Sequence, residues 1–143
     1  GTMAVEKSYR LVGRELSVEY SAYESGLDRF VHPNKGDFIG RDELVKRHAA
    51  GDKWTYVTLD VHDIKDCDAR GSEAVYDASG ALVGRVTTGS YGWRVGKSLA
   101  LAMVKPAHAA EGTKLQVKIL GELFQATIIA ESPFDADNER LRA

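Results

Sequence analysis

Aromatic and cationic side chains alternate with glycines between residues 87 and 97, and this segment carries the strongest chemical signal in the sequence. The candidate ligand-binding residues in it are Tyr91, Trp93 and Arg94. Aromatic rings stack on planar groups and guanidinium groups pair with carboxylates, so the segment suits a planar anionic ligand. In the alternative interpretation, Tyr91 and Trp93 pack against another domain while Arg94 stays in water.

No local motif of a catalytic or metal centre accompanies this segment. The sequence contains no P-loop, no G-x-S-x-G elbow, no H-E-x-x-H and no cysteine pair. Its four histidines are too widely spaced to predict a shared metal: His32, His48, His62 and His108. Cys67 lies between two aspartates, which disfavour a thiolate, and we interpret it as an unreactive thiol. The sequence therefore predicts no catalytic residue and no metal ligand in this chain.

The composition is that of an ordinary globular protein. The chain has 143 residues, of which 43% are hydrophobic and 28% charged, and its formal net charge is -2. A chain of this length buries roughly two thirds of its unfolded surface, so it can form a stable core without a disulfide or a structural metal. It has no dense run of Lys and Arg and no apolar run long enough to cross a bilayer, so we expect neither a nucleic-acid partner nor a membrane. The single cysteine predicts a reducing, cytoplasmic location.

Residues 1–50 are predicted to be partly helical. Residues 1–3 resemble the remnant of an expression tag. Ser21 and Glu24 have the spacing of a capping box, and the apolar residues that follow predict a short helix over 21–30. A second helix is predicted over 41–49, after a loop at 31–36 that is rich in turn-forming residues.

After residue 51 the hydrophobic pattern alternates with a period of two, which is typical of strands. Strands are predicted over 54–61, 73–76, 82–87, 98–104, 115–119 and 124–128, separated by turns that contain glycine. This succession predicts a closed or nearly closed antiparallel barrel. Six apolar residues are predicted to point into its core: Val57, Leu59, Val86, Leu101, Val117 and Ile128. The alternate positions of the first strand, Tyr56, Thr58 and Asp60, are predicted to form its wetter face.

Several separated segments together resemble the C-terminal part of the folate-dependent aminomethyltransferase family, which includes the T protein of the glycine cleavage system. They are YRLVGREL at 9–16, YESGL at 23–27, GDFIGRDEL at 36–44, GRVTTGSYG at 84–92, GKSLALAMV at 96–104, GTKLQVKILG at 112–121 and PFDADNERLR at 133–142. The segments at 84–92 and 96–104 are most similar to the folate-binding halves of dimethylglycine and sarcosine dehydrogenases.

The resemblance implies transfer of a one-carbon unit from a methylamine or aminomethyl donor to tetrahydrofolate. It implies that Tyr91, Trp93, Arg94 and Glu24 contact this cofactor, and that FAD is present if the parent protein has an upstream oxidase domain. The catalytic Asp of the family has no match here, and the family's first carboxylate-binding Arg is expected upstream of residue 5. At the position of a second such Arg in glycine-cleavage members, this sequence has Tyr56.

The resemblance also predicts how the chain is divided. Residues 1–50 would be the end of the middle folate-binding domain and its linker, and residues 51–143 the C-terminal barrel. The fold class expected is therefore mainly β with short helices, an antiparallel barrel preceded by the tail of an α+β domain. The partners expected are the upstream domains of the same parent chain, and the chain alone is expected to be inactive. The alternative is a stand-alone, non-catalytic barrel that binds a partner protein or a small anionic ligand, which a native start near Met3 would favour.

Overall fold

A computed structural model describes residues 1–143. Its helices are α1 (Thr2–Glu6), α2 (Arg41–Ala49) and α3 (Glu139–Arg142), with 3₁₀ turns at Asp28–Phe30 and Pro106–His108. Its strands are β1 (Thr55–Val61), β2 (Ala74–Tyr76), β3 (Leu82–Gly92), β4 (Lys97–Val104), β5 (Lys114–Ile119) and β6 (Glu122–Ile129). No helix is long and apolar enough to span a membrane.

The six strands form a closed antiparallel barrel in the order β1-β4-β3-β2-β5-β6. The predicted hairpins are present, because β2 pairs with β3 and β5 pairs with β6. The second hairpin closes through Leu120 and Gly121, whose φ angles of 48° and 93° are those of a primed turn that matches the twist of the strands. The mainly β fold class and the barrel are therefore confirmed.

The interior of the barrel is one apolar cluster of 15 buried residues. Five of the six residues predicted to point inward belong to it: Val57, Leu59, Val86, Val117 and Ile128. The prediction for Leu101 is wrong, because the inward positions of β4 are Ala100, Ala102 and Val104. Strand β4 is buried on both faces, so its sequence is apolar throughout and does not reveal which alternate set points inward.

Leu101 instead belongs to a second buried cluster, which lies outside the barrel. This cluster contains Val5, Tyr20, Tyr56, Leu99, Leu101 and Met103. The residues before β1 supply two of these side chains and cover the outer faces of β1 and β4. The prediction of a wetter face at Tyr56, Thr58 and Asp60 is therefore wrong, since each is at most 8% exposed. The Tyr56 hydroxyl donates to the Ser8 carbonyl at 2.8 Å, and the hydroxyls of Thr58 and Ser8 are 2.8 Å apart.

Arg10 fastens this N-terminal segment to the barrel. Its guanidinium carbon lies 3.9 Å from the centre of the Tyr56 ring, and two of its nitrogens donate to the Glu131 carboxylate at 2.8 Å each. It also donates to the carbonyls of Ser25 and Gly26 at 2.8 and 3.2 Å. Gly26 has a positive φ of 65°, which favours glycine, and a Cβ there would displace the Arg10 guanidinium, which would lie 2.6 Å away. The division into residues 1–50 and 51–143 stays a prediction.

A bulge in β3 is held from outside the barrel by two neighbouring residues, Arg14 and Glu15. The pairing of β3 with β4 shifts register between Val86 and Thr88, which leaves Thr87 as the extra residue. Arg14 donates to the Thr87 carbonyl at 2.8 Å. Glu15 is fully buried and accepts hydrogen bonds from the hydroxyls of Thr87 and Thr88, the latter at 2.8 Å. The bulge therefore aims two hydroxyls at one carboxylate.

The helix predicted over 21–30 does not form, although its capping box does. The Ser21 amide donates to Glu24 Oε2 at 2.8 Å, and the Glu24 amide donates to Ser21 Oγ at 3.1 Å. Residues 22–26 form turns, because Gly26 takes a positive φ of 65° where a helix would continue. The second helix is confirmed as α2, and none of its residues is buried.

Candidate functional site

A cleft of about 390 Å³ lies where α1, the tip of the β3–β4 hairpin and the C-terminal tail meet. Helix α1 and the residues after it form one side, Arg94 of the hairpin forms the second, and the tail forms the third. The residues that line it are Met3, Glu6, Lys7, Tyr9, Arg94, Phe134, Asp135, Arg140 and Leu141. Four of these are apolar or aromatic and five are ionisable, so the cleft can bind a ligand with apolar and charged parts.

The hairpin tip presents the aromatic and cationic residues predicted from the sequence. Residues 93–96 form the turn, which the Gly96 amide closes by donating to the Gly92 carbonyl at 2.7 Å. Trp93 is 78% exposed and meets Tyr91 edge to face, with ring centres 4.9 Å apart. The Arg94 guanidinium lies in the cleft, 5.9 Å from the centre of the Phe134 ring. The structure thus brings Tyr91, Trp93 and Arg94 together at one exposed tip.

Three glycines of β3 allow the chain to approach itself. A Cβ at Gly89 would lie 2.2 Å from the Ala69 carbonyl oxygen, and a Cβ at Gly84 would lie 2.4 Å from that of Met103. At Gly92 a Cβ would lie 3.0 Å from the Glu6 Cγ. The absence of a side chain at these three positions therefore allows close packing within the chain.

The C-terminal tail is fixed to the cleft by Lys7. Its ammonium group donates to Asn138 Oδ1 at 2.7 Å and to the Asp135 carbonyl, and lies 3.8 Å from the Asp135 carboxylate. The Phe134 amide donates to the Glu6 carbonyl at 3.1 Å. The guanidinium carbon of Arg140, a residue of the tail itself, lies 5.6 Å from the centre of the Phe134 ring. Neither Arg94 nor Arg140 forms an ion pair within the chain.

Glu6 was not predicted as a site residue, although it is the most buried ionisable group of the cleft at 2% exposure. Its Oε1 accepts the Arg94 amide at 2.5 Å, which connects α1 to the hairpin tip. In the sequence, Glu6 stands among polar residues at the start of the chain, and no local pattern distinguishes it from a surface glutamate. Its role depends on a contact 88 residues away in the chain.

Glu24 lies apart from the hairpin tip and lines a separate small recess. Its side chain is buried, and its carboxylate accepts the amides of Ser21, Lys53 and Trp54 at 2.8, 2.9 and 3.2 Å. These bonds connect the segment before residue 30 to the start of β1, which is a structural role. A cofactor-binding role for Glu24 stays a prediction.

The same bonds make Glu24 a source of pH-dependent stability. Burial by itself raises the pKa of Glu24, but the hydrogen bonds from Ser21, Lys53 and Trp54 outweigh it, and the net pKa is lowered from the usual value. A group whose pKa is lowered by folding stabilises the protein above its unfolded pKa, which is about 4.3 for Glu, and loses that contribution as the pH falls through the folded value.

We therefore expect the stability difference between the wild type and Glu24→Gln to be constant above about pH 5 and to shrink below about pH 4. Urea unfolding at a series of pH values measures it. Glu43→Gln, at an exposed position of α2, is the control and should show no such change. A difference that grows as the pH falls would contradict the lowered pKa.

Two other features do not form part of this cleft. Tyr56, at the position where the resemblance expects a carboxylate-binding Arg in some members, is buried beneath Arg10, and its burial raises the pKa of its hydroxyl. A larger recess of about 470 Å³ lies beside Cys67 and the β5–β6 turn, and it contains none of the predicted site residues. The structure has no cluster of His, Cys, Asp and Glu side chains placed to bind a metal.

Comparison with known families decides where the chain belongs. Residues 55–135 match the model of the glycine cleavage T-protein C-terminal barrel domain, and this match covers more than half of the chain. The chain belongs to this family. The matched residues include all six strands and the hairpin tip that carries Tyr91, Trp93 and Arg94.

The similar proteins are longer than this chain. Mitochondrial dimethylglycine dehydrogenase of Mus musculus is 37% identical over 130 residues, which are 90% of this chain and 15% of that protein. Aminomethyltransferase of Symbiobacterium thermophilum is 36% identical over 134 residues, 93% of this chain and 35% of that protein. The crystal structure of the glycine cleavage system aminomethyltransferase T from Bartonella henselae superposes with a TM-score of 0.85 at 19% identity, over 94% of this chain and 38% of that one. This last similarity shows a shared fold.

Proposed function

We propose that this chain is the C-terminal portion of a tetrahydrofolate-dependent aminomethyltransferase or dimethylglycine dehydrogenase-like enzyme, in which the barrel closes one side of the folate cavity. The family match and the two groups of relatives support this assignment. The chain spans between 15% and 35% of the length of those relatives. In this proposal, upstream domains of the same parent chain make up the remaining length, and they form the cavity together with the barrel.

The observation that carries the proposal is the exposed hairpin tip. A Trp that is 78% exposed at a hairpin tip, beside a guanidinium without an ion-pair partner, is unusual for a surface that contacts only water. The family match makes a folate the ligand to test at this surface, because Trp93 and Tyr91 offer rings for stacking and Arg94 offers a partner for a carboxylate. The tip is open on its outer side, so it can form only part of an enclosing site.

The tetrahydrofolate would accept the one-carbon unit, and the residues of this chain would bind and orient it. No carboxylate or imidazole of the chain is assigned to proton transfer, so the proposal places the catalytic group in the upstream domains. The donor proposed is a methylamine or an aminomethyl group, and FAD would belong only to a parent protein that has an oxidase domain. A reducing, cytoplasmic location remains part of this proposal and is consistent with the free thiol of Cys67.

Trp93→Ala tests the proposal because the exposed position separates binding from folding. In the protein extended by its natural upstream sequence, we expect the substitution to weaken tetrahydrofolate binding about tenfold or more, since stacking on an aromatic ring is lost. In the present chain it should change the free energy of unfolding by less than about 0.5 kcal/mol. Isothermal titration and urea unfolding measure the two effects.

The matched control is Leu82→Ala, which removes another exposed apolar side chain, at the end of β3 farther from the hairpin tip. It should leave both tetrahydrofolate affinity and stability nearly unchanged. If Trp93→Ala unfolds the barrel, or if it leaves the affinity of the extended protein unaltered, Trp93 does not contact the folate.

A further inference from the structure

The recess beside Cys67 and the β5–β6 turn lies directly on the core of the barrel. It has a volume of about 470 Å³ and shares no residue with the cleft that contains Arg94. Its floor is apolar, because Ile119 belongs to the inner cluster while Cys67 and Phe124 pack against that cluster. An apolar side chain that fills the recess would remove this floor from water, which favours binding.

Two leucines of the β5–β6 turn region are exposed at the rim of the recess. Leu120 is 87% exposed and Leu123 is 54% exposed, and both line the recess. Leu120 also has a left-handed φ of 48°, which is uncommon for a bulky side chain and which Asn or Gly adopts more easily in a primed turn. Neither the backbone conformation nor contact with water favours leucine here, so a contact with another molecule accounts for it.

The charged side chains around the recess are mainly acidic. Asp63, Asp66 and Glu122 are exposed on its rim, and none of them forms an ion pair within the chain. Lys65 is the one Lys or Arg that lines the recess. The rim therefore attracts a cationic partner and disfavours an anionic one.

We propose that this recess docks a segment of a partner protein in which apolar side chains are flanked by Lys or Arg. An apolar side chain enters between Leu120 and Leu123 and packs on Phe124, and the flanking cations pair with the carboxylates of the rim. The closed barrel leaves no free strand edge, so the partner binds through side chains and not by adding a strand. The inference does not rest on the folate function, because the recess contains no residue of the β3–β4 hairpin tip.

The test uses three hexapeptides with blocked ends, titrated into the present chain. The first has two leucines between two pairs of lysines, the second replaces the lysines by glutamates, and the third replaces the leucines by serines. We expect the first to bind with a dissociation constant on the order of 0.1 mM, more weakly as salt is added, and the other two to bind at least about tenfold more weakly.

Two readouts report on the recess itself. The NMR shift of the Gly121 amide follows binding at the turn, because Gly121 stands between Leu120 and Glu122. Cys67 is the single cysteine of the chain and lines the recess, so a bound peptide should slow its reaction with a water-soluble maleimide.

Leu120→Asn separates binding from folding, because the two effects have opposite signs. We expect it to weaken binding of the leucine–lysine peptide about fivefold or more, since an apolar contact is lost. It should raise the melting temperature by about 2 to 4 °C, since Asn suits the left-handed turn position and removes an exposed apolar side chain. Leu82→Asn, at an exposed leucine outside the recess, is the control for binding and should bind as the wild type does.

The combined change Asp66→Asn and Glu122→Gln tests the charge of the rim. It should weaken binding of the same peptide about tenfold and remove most of the dependence on salt. Glu43→Gln, at an exposed position of α2, is the control and should leave both unchanged.

Four results would overturn the proposal. Three concern the present chain: no binding of the leucine–lysine peptide, equal binding of the lysine and glutamate peptides, and wild-type affinity in Leu120→Asn. The fourth is loss of peptide binding in the protein extended by its natural upstream sequence, because upstream domains would then cover the recess. Tetrahydrofolate is absent from these titrations, so failure of either proposal leaves the other standing.

Discussion

Leu101→Ala is expected to lower the free energy of unfolding by about 2 to 5 kcal/mol. Leu101 is fully buried in the outer cluster, between strand β4 and the N-terminal segment that contributes Val5 and Tyr20. Removing three carbon atoms there loses apolar burial and leaves a cavity, and the paired backbone of β1 and β4 limits how far the site can collapse. Urea unfolding followed by circular dichroism measures the change.

The comparison with Leu82→Ala makes this result specific. Leu82 is 58% exposed in β3, and its substitution should change stability by less than about 0.5 kcal/mol. Since Leu101 lies outside the barrel, the variant should also loosen the N-terminal segment, seen as faster amide exchange at Ser8 and Tyr9. An unchanged denaturation midpoint would show that the outer cluster contributes little.

Glu15→Ala should be comparably damaging, with an expected loss of roughly 3 to 5 kcal/mol. The Glu15 carboxylate is fully buried and accepts hydrogen bonds from the Leu11 amide and from the hydroxyls of Thr87 and Thr88. Alanine would leave the Leu11 amide and the Thr88 hydroxyl without this acceptor, while the Thr87 hydroxyl would keep only the Leu101 carbonyl at 3.0 Å. It would also release the bulge at Thr87 from the segment that covers it. Thermal and urea unfolding measure the loss.

Glu15→Gln distinguishes the hydrogen bonds from simple packing. Glutamine keeps the size and one acceptor oxygen, but its NH₂ group faces a donor where the carboxylate has a second acceptor. We expect a loss smaller than that of Glu15→Ala, roughly 1 to 3 kcal/mol. If alanine and glutamine cost the same, or if neither has an effect, the carboxylate does not hold the bulge.

The barrel could be predicted from the sequence because strands and turns are local signals. The alternation in β1 and the glycine-containing turns before β3 and β6 depend on neighbouring residues only, and both were interpreted correctly. The inward direction predicted for Leu101 is wrong, because β4 is apolar on both faces and its sequence does not show which face points into the barrel. The error at Tyr56 and Thr58 has a similar cause. Polar side chains on one face of a strand predict a solvent-exposed face, and the sequence does not show that another segment covers it.

What covers them is the N-terminal segment, and its path depends on contacts between distant parts of the chain. Arg10 reaches Glu131, and Glu15 reaches Thr88. No spacing rule relates such pairs, although both members of the second pair stand in segments that carried the family resemblance.

The candidate site was predicted in part for the same reason. Tyr91, Trp93 and Arg94 are neighbours in a hairpin, so one local pattern revealed them together. Glu6 and Phe134 complete the cleft from the two ends of the chain, and only the fold brings them to Arg94. Glu24 has the sequence features of a capping residue, and its bonds in the structure are those of one.

The central claim, that this chain forms one wall of a shared folate cavity, is tested most directly by calorimetric titration with tetrahydrofolate. The titration is made on the present chain and on the protein extended by its natural upstream sequence. The account predicts no micromolar binding by the present chain, because one wall leaves most of the ligand in water, and measurable binding by the extended protein. Micromolar binding by the present chain alone, or formation of methylenetetrahydrofolate by it, would contradict the claim, as would failure of the extended protein to bind.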